Sequence, residues 1–371
     1  MKNMKKSMFL AAVAAMVLAG CTKDESIVEQ QEIGFQPLAY KASQTKANVI
    51  TGATYGTDAT SFGLFAYQLA DGKTFDTDKA DAKLYIDNKE VSYTDENWRT
   101  NPKSFWPLQG SLTFIAYSPY SIYQNVDYNI NVVNDNAGNV ASANSVLTIS
   151  NFVAGTTDQK DLMWSTHTED QTSNGSVNNY PEASPTYAGV PILFNHALCR
   201  IKITAKTKED YSGFATYNLK KIQVVGLKDN ATLTVTDDAA VWSDVSNDLT
   251  TFDFYAPATY KELSANSDTV TYMNAETAGN GLLAIPQSLE GVTLKVTYTM
   301  TVDPDGNGSA SAVVTETTKD VVLKTGTLIE LEQNKVYTLN LSISANEILY
   351  SPDVAAWDET GSGDYTVPEV Q

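Results

Sequence analysis

Residues with side chains suited to acid–base or metal chemistry are sparse in this chain. It has two histidines, His167 and His196, and two cysteines, Cys21 and Cys199. A Ser-His-Asp triad or a multi-histidine metal site has little raw material here. Carboxylates are numerous enough for a paired-carboxylate glycosidase, but no spacing singles out a pair. We therefore expect a protein that is not an enzyme and that needs no cofactor or metal.

One acidic loop has the residue types for a cation. The stretch Asp303-Pro304-Asp305-Gly306-Asn307-Gly308 matches the first half of an EF-hand loop, whose oxygen ligands bind calcium. The twelfth position is Val314 instead of glutamate, and strand patterns flank the loop. A tight hairpin turn is the favoured interpretation, and calcium binding at Asp303–Asn307 is the alternative.

Cys21 has the clearest chemical role, because it directly follows Leu18-Ala19-Gly20. A basic start and an apolar run from Met8 to Leu18 precede it, as in a signal peptide that is too short to span a bilayer. The arrangement resembles the lipobox of bacterial lipoproteins, in which this cysteine is acylated, for example with palmitate. We expect residues 1–20 to be removed and Cys21 to hold the chain at the outer membrane.

The net charge of the chain limits the kinds of molecule that it can bind. The chain has 25 basic and 44 acidic residues and a formal net charge of −19. Such a surface repels nucleic acid and anionic lipid headgroups, so no nucleic acid partner is expected.

If Cys21 is acylated, Cys199 has no disulfide partner. Cys199 lies in an apolar stretch and is expected in the core.

Hydrophobic alternation predicts β-strands through almost the whole chain. Residues 292–300 and 337–344 alternate between apolar and polar side chains, which is typical of half-buried antiparallel strands. Further strands are predicted at 62–68, 84–86, 112–117, 147–152, 191–206, 221–227, 231–235, 282–285 and 320–325. Many short strands separated by turn residues indicate an all-β fold of β-sandwiches.

The length is sufficient for two cores. We predict a linker at 21–31, an N-terminal β-sandwich at 32–185 and a C-terminal β-sandwich at 186–371 that includes a C-terminal strand segment. The polar stretch from Thr168 to Ala188 suggests the boundary, although it could instead be a long hairpin loop inside one domain.

The predicted strand at 191–206 changes its alternation partway along. Phe194 and His196 share one parity, whereas Ile201 and Ile203 share the other. This change predicts a β-bulge near Cys199-Arg200. His196 then points to the core with Phe194, as a hydrogen-bonded structural histidine.

Six segments of the sequence carry a family resemblance. They are Phe62–Tyr67, Phe105–Pro107 with Leu112–Pro119, Asp161–Trp164, Phe194–Ile201, Asn334–Leu339 and Val354–Trp357. In this order, and after a lipobox, they resemble the fimbrillin family, the lipoprotein pilins of Bacteroidota type V pili. The resemblance implies two tandem transthyretin-like antiparallel β-sandwiches. It also implies a structural subunit of a cell-surface fimbria that supports adhesion.

The resemblance further implies assembly by strand exchange. In such pilins a trypsin-like protease removes the N-terminal segment with its first strand, and a strand from the next subunit fills the groove. The removable strand here corresponds to Glu32–Leu38. Only Lys41 and Lys46 are available for cleavage in the loop that follows, since both arginines, Arg99 and Arg200, lie elsewhere. The alternative hypothesis is that the chain is an anchor or accessory subunit that no protease processes.

The donor strand is expected from the C-terminus, after Ile343. Ile348–Tyr350 is an apolar run, and Tyr365, Val367 and Val370 follow a Gly-Ser-Gly hinge. This tail could equally fold back as an edge strand of its own sheet. The expected partners are other pilin subunits and, before processing, the outer membrane through the N-terminal lipid. A ligand on a host or bacterial surface is a further candidate partner.

Aromatic residues suggest an alternative function. The chain has 20 Tyr, 12 Phe and 5 Trp, and surface aromatics can stack on sugar rings. A surface glycan-binding lipoprotein or a pilus tip adhesin is therefore the alternative. Four aromatics of the matched segments lie on predicted strands, which favours packing: Trp106, Tyr117, Trp164 and Tyr337. The sequence does not separate shaft, tip and anchor positions.

Overall fold

The computed structural model describes residues 31–39, 48–49, 61–94, 97–123, 129–131, 147–155, 159–173, 175–176, 189–211, 213–236, 239–266, 268–270, 281–304 and 312–357. Within these ranges the chain is almost entirely β, which confirms the predicted fold class. The helical part consists of α1 (Phe75–Asp78) and two 3-10 turns, Lys79–Asp81 and Tyr120–Ile122. No helix in the described ranges has the length and hydropathy of a membrane-spanning segment.

The strands before residue 180 are β1 (Gly34–Ala39), β2 (Asn48–Val49), β3 (Ser61–Leu69), β4 (Lys83–Thr94), β5 (Asn97–Thr100), β6 (Ser111–Ser118), β7 (Asn129–Asn131), β8 (Leu147–Val153), β9 (Met163–Ser165), β10 (Thr168–Thr172) and β11 (Gly175–Ser176).

The later strands are β12 (Val190–His196), β13 (Cys199–Thr207), β14 (Ala215–Leu227), β15 (Asn230–Val235), β16 (Ala240–Ser243), β17 (Thr250–Tyr255), β18 (Lys261–Leu263), β19 (Asp268–Val270), β20 (Leu282–Ala284), β21 (Thr293–Val302), β22 (Val313–Val322), β23 (Lys335–Ile343) and β24 (Ile348–Ala356).

The first sheet closes on itself. Its strand order is β6-β3-β4-β5-β1-β12-β9, and β9 also pairs with β6, so these strands form a closed ring. Strands β10 and β11 extend from β6, and β2 pairs with β1. Each strand of the ring contributes to one aromatic core that contains Phe35, Phe62, Phe114 and Phe194. A closed ring satisfies backbone groups that an open sheet would leave at its edges.

The second body is a two-sheet sandwich. One sheet has the order β19-β13-β23-β24 with β20 beside β13, and the other has the order β17-β14-β21-β22 with β18 beside β14. Alternate residues of β13, β21 and β23 fill the core between the sheets, among them Ile201, Ile203, Leu294, Val296 and Leu339. Most pairings in the protein are antiparallel, as expected, but β1–β12 and β13–β23 are parallel.

A fourth sheet joins the two halves of the sequence. Its order is β16-β15-β8-β7, so β8 from the first half pairs with β15 from the second. Its apolar face packs in a core shared by Tyr67, Ile115, Ile149, Leu233 and Trp357. Residues 185 and 186, the expected domain boundary, lie outside the described ranges. After that point, β12 belongs to the ring and β13 to the sandwich.

The strand predicted at 191–206 is in fact two strands, so the predicted bulge is wrong. The chain leaves the first sheet after His196 and enters the second at Cys199. Ala197 lies between them, where its N–H donates to the Leu162 carbonyl and its carbonyl accepts from the Trp242 indole. The change of parity therefore marks a passage between sheets.

Candidate functional site

Strand β1 pairs with β12 on one side and with β5 and the short strand β2 on the other. It runs parallel to β12, from Phe35 opposite Val190 to Ala39 opposite Phe194, and antiparallel to β5. Just before β1, the Ile33 N–H donates to the Ser104 carbonyl at 2.9 Å. The Gln31 carbonyl accepts from the Trp106 N–H at the same distance. Both sides of the segment 31–39 are thus bonded to other parts of the chain.

The inner face of this segment completes the ring core. Ile33, Phe35 and Pro37 are buried in alternation, and Phe35 is only 2% exposed. The Phe35 ring packs edge-to-face against Phe62, with centroids 6.3 Å apart, and against Phe114 at 5.7 Å. Full burial of a large apolar side chain contributes about 1.5–3 kcal/mol. Removing the segment would expose an apolar groove, with the Phe62 and Phe114 rings at its base.

Gly189 is the point of closest approach to β1. It has φ of +135°, and a Cβ built on it would lie 2.5 Å from both Gly34 C and Phe35 N. These are backbone atoms of a paired strand, so they cannot rotate away as a side chain can. The site therefore needs glycine both for its conformation and for the space that β1 occupies.

Charged contacts add little to the hold on β1. Glu32 lies 2.6 Å from Lys103 Nζ and 3.8 Å from Arg99 Nε. Lys103 is half exposed, and pairs of this kind contribute about 0–1 kcal/mol. Apolar burial and backbone hydrogen bonds therefore account for most of the attachment.

The C-terminal strand is anchored at its end. Strand β24 pairs with β23 along its whole length, from Ile348 to Ala356. The next residue, Trp357, is buried and stacks on the His196 ring at 3.9 Å with an interplanar angle of 7°. Arg200 Cζ lies 4.7 Å from the Trp357 ring centroid. The apolar run at Ile348–Tyr350 thus belongs to the chain's own sheet.

His196 has the structural role that its parity predicts. It is buried, and its Nδ1 lies 3.0 Å from Asp161 Oδ1. Cys199 is likewise buried, as predicted, and its thiol lies 3.3 Å from the Ala284 carbonyl. Burial raises the pKa of the Cys199 thiol, which keeps it in the unreactive form.

Most predicted site residues lie outside the described ranges: Cys21, Lys41, Lys46, Tyr365, Val367 and Val370. Of the acidic loop, Asp303 and Pro304 are described, and Asp303 lies at the end of β21. Within the described part of the chain, no group of three or more His, Cys, Asp or Glu side chains could hold a metal ion.

Four aromatics of the family-like segments are buried and pack in the cores, namely Trp106, Tyr117, Trp164 and Tyr337. The Tyr117 hydroxyl donates to Asn88 Oδ1 at 2.7 Å, and the Tyr337 hydroxyl accepts from the Glu332 N–H at 2.7 Å. Burial raises the pKa of Tyr337 to about 12. These residues therefore give no support to a sugar-stacking surface.

Sequence reasoning located β1 but missed the residues that hold it. It did not identify β12 as its parallel neighbour or Gly189 as its close contact. The only available signal for Gly189 was a glycine directly before an apolar strand. A glycine in that position is common and did not identify its partner.

The fold thus defines an all-β protein that combines a closed ring, a two-sheet sandwich and a sheet that joins them. The chain belongs to the fimbrillin-like family, whose model matches residues 45–357. This membership supports a role as a fimbrial subunit at the cell surface.

Solved structures that align with the chain come from Bacteroides and Porphyromonas species. A fimbrial protein from Bacteroides vulgatus has 20% identity and a TM-score of 0.64, and the alignment covers 88% of this chain and 100% of that chain. A putative cell adhesion protein from Bacteroides uniformis has 15% identity and a TM-score of 0.47, with 88% and 98% covered. The tip fimbrial protein Mfa3 from Porphyromonas gingivalis has 9% identity and a TM-score of 0.36, with 88% and 100% covered. No curated protein matches the chain.

Proposed function

We propose that the protein is a structural subunit of a cell-surface fimbria. It is exported as a lipoprotein acylated at Cys21 and assembles head-to-tail by exchange of β1 for a strand of the next subunit. One observation supports this most strongly. Segment 31–39 is bonded on both sides and fills the ring core, so its loss would leave two open backbone edges above an apolar groove.

The groove sets requirements for a replacement strand. Its inner positions accept Ile33, Phe35 and Pro37, which are spaced by two residues. In the C-terminal tail, Tyr365 and Val367 have this spacing, whereas Val370 falls on the other parity. Tyr365 and Val367 are therefore the residues that we expect to enter the core of the neighbour. Donor and acceptor lie on different parts of one subunit, so the contact propagates as a filament.

Processing is tested by the N-terminus of the surface protein. Mass spectrometry of purified filaments should find Ala42 or Ala47 as the first residue, after cleavage at Lys41 or Lys46. A variant with Lys41→Gln and Lys46→Gln should stay monomeric, and Lys23→Gln, which changes a lysine outside the loop, should polymerise normally. Filaments whose subunits retain acylated Cys21 would refute this route of assembly.

Strand exchange is tested on the processed protein. Strand-exchanged polymers should resist SDS and run as a ladder of bands on a gel of unboiled samples. Deleting residues 361–371 should abolish this ladder and leave a folded monomer. A synthetic peptide of residues 32–39 should occupy the groove and inhibit polymerisation, whereas the same peptide with Phe35→Asp should not. Unchanged polymerisation after the deletion would remove this tail from the mechanism.

A further inference from the structure

The C-terminal sandwich contains a second concave site. It is a cleft of about 490 Å³ at the ends of β13, β18 and β21 and the start of β14. Two backbone hydrogen bonds fix its walls. The Thr207 N–H donates to the Ser264 carbonyl at 2.8 Å, and the Asp303 N–H donates to the Phe214 carbonyl at 3.1 Å. The residues that line it all lie between Thr207 and Ala312, outside the ring.

Three aromatic rings lead from the core of the sandwich to the mouth of this cleft. Tyr217 is buried at the floor, and Tyr211 packs on it with centroids 5.1 Å apart. Phe214 meets Tyr211 edge-to-face at 5.8 Å and is 54% exposed. An exposed phenylalanine that continues a buried aromatic column offers a ligand an apolar surface without any rearrangement.

The polar part of the cleft has one sign of charge. Asp210, Glu262 and Asp303 contribute carboxylates, and hydroxyl side chains make up most of the other polar lining. Among the described residues that line it, none is lysine, arginine or histidine. The net charge of −19 for the whole chain adds a long-range attraction for cations.

We propose that this cleft binds an alkylammonium group, from a lysine side chain of another polypeptide or from a free amine. The methylene chain would lie along Tyr211 and Phe214, and the ammonium would meet the carboxylates and the faces of the rings. A cation compensates the charge of the three carboxylates, which a neutral ligand does not, so the cleft favours an ammonium over a neutral ligand of the same shape.

Ligand titrations on the full mature chain test the chemistry. Nα-acetyl-lysinamide and cadaverine should both bind in calorimetry, more weakly as salt is raised. Tighter binding of the first indicates a polypeptide lysine, and tighter binding of the second a free amine. Nα,Nε-diacetyl-lysinamide has the same shape without the charge and should bind about tenfold more weakly or not at all. Equal binding of the diacetyl compound would overturn the proposal.

Variants locate the binding to the cleft. Phe214→Ala removes the exposed ring and should weaken Nα-acetyl-lysinamide by about fivefold or more. Glu262→Gln and Asp303→Asn keep the shape and should each weaken binding and reduce its salt dependence. Tyr123→Ala removes another aromatic that is 50% exposed, outside the cleft, and should have no effect.

Other outcomes would also overturn the proposal. Binding of galactose without binding of either amine would make this a sugar site, and binding of calcium alone would make it a cation site built on Asp303. Absence of binding by every probe would exclude a ligand site of this kind. Unchanged circular dichroism spectra of the variants would show that any loss reflects the cleft and not unfolding.

Discussion

Phe35 is the side chain whose removal best measures the hold on β1. It is 2% exposed and contacts two aromatic rings edge-to-face. Phe35→Ala loses its transfer free energy and leaves a cavity, so the free energy of unfolding should fall by about 3–5 kcal/mol. For a body of this size, we expect a decrease in melting temperature of roughly 6–20 °C. Thermal and urea unfolding of the unprocessed chain measure the change.

The neighbouring residue provides a matched control. Gln36 lies on the opposite face of β1 and is half-buried. Gln36→Ala should change the free energy of unfolding by only about 0.5 kcal/mol. In protein already cleaved after Lys46, neither position is present, so both variants should behave as the wild type. An equal, small effect of the two substitutions on the unprocessed chain would refute the role of β1 in the core.

Three further predictions concern other residues. Gly189→Ala should displace β1, because its Cβ would lie 2.5 Å from the backbone atoms Gly34 C and Phe35 N. Hydrogen exchange should then speed up in residues 33–39. Asp170 is buried, and desolvation raises its pKa above the ordinary value of 3.8. The free energy of unfolding should therefore decrease as pH rises from about 3.8 through that raised pKa, since the unfolded state loses this proton first. Asp170→Asn should remove this decrease, as measured by urea unfolding at a series of pH values. Cys199, whose thiol pKa is raised by burial, should resist iodoacetamide at pH 8 until denaturant is added.

Clear results would contradict each of these. Unaltered exchange in Gly189→Ala would mean that β1 tolerates the added carbon. Parallel pH profiles for wild type and Asp170→Asn would exclude Asp170 as the cause. Rapid labelling of Cys199 in native protein would show that β13 opens readily.

Local pattern predicted the strands with one buried face. The alternation at 292–300 and 337–344 matches β21 and β23, because each has one face in the sandwich core. The strands β16 and β17 were not predicted, and β22 was misplaced, at 320–325 instead of Val313–Val322. Strand β22 is exposed on both faces from Val313 to Glu316 and only half-buried on one face at Thr317 and Lys319, so hydrophobic alternation carries little information there.

Sheet partners could not be predicted, because they depend on contacts between distant residues. Nothing local in 147–153 indicates that it pairs with 230–235 and so joins the two halves. The same holds for the parallel pairing of β1 with β12, which forms the candidate groove. Family resemblance supplied the strand to be removed, and the structure supplied its surroundings.

The strands that flank β1 give the groove a direction, with the parallel β12 on one side and the antiparallel β5 and β2 on the other. A strand that replaces β1 in the same orientation would run parallel to β12 and antiparallel to β5, and would restore both ladders as they stand. Every subunit would then receive its neighbour in the same sense, and the fibre would have two unlike ends. One end would expose only an empty groove and the other only a free tail. If one end is attached to the cell, subunits would add in one direction only, at the other end.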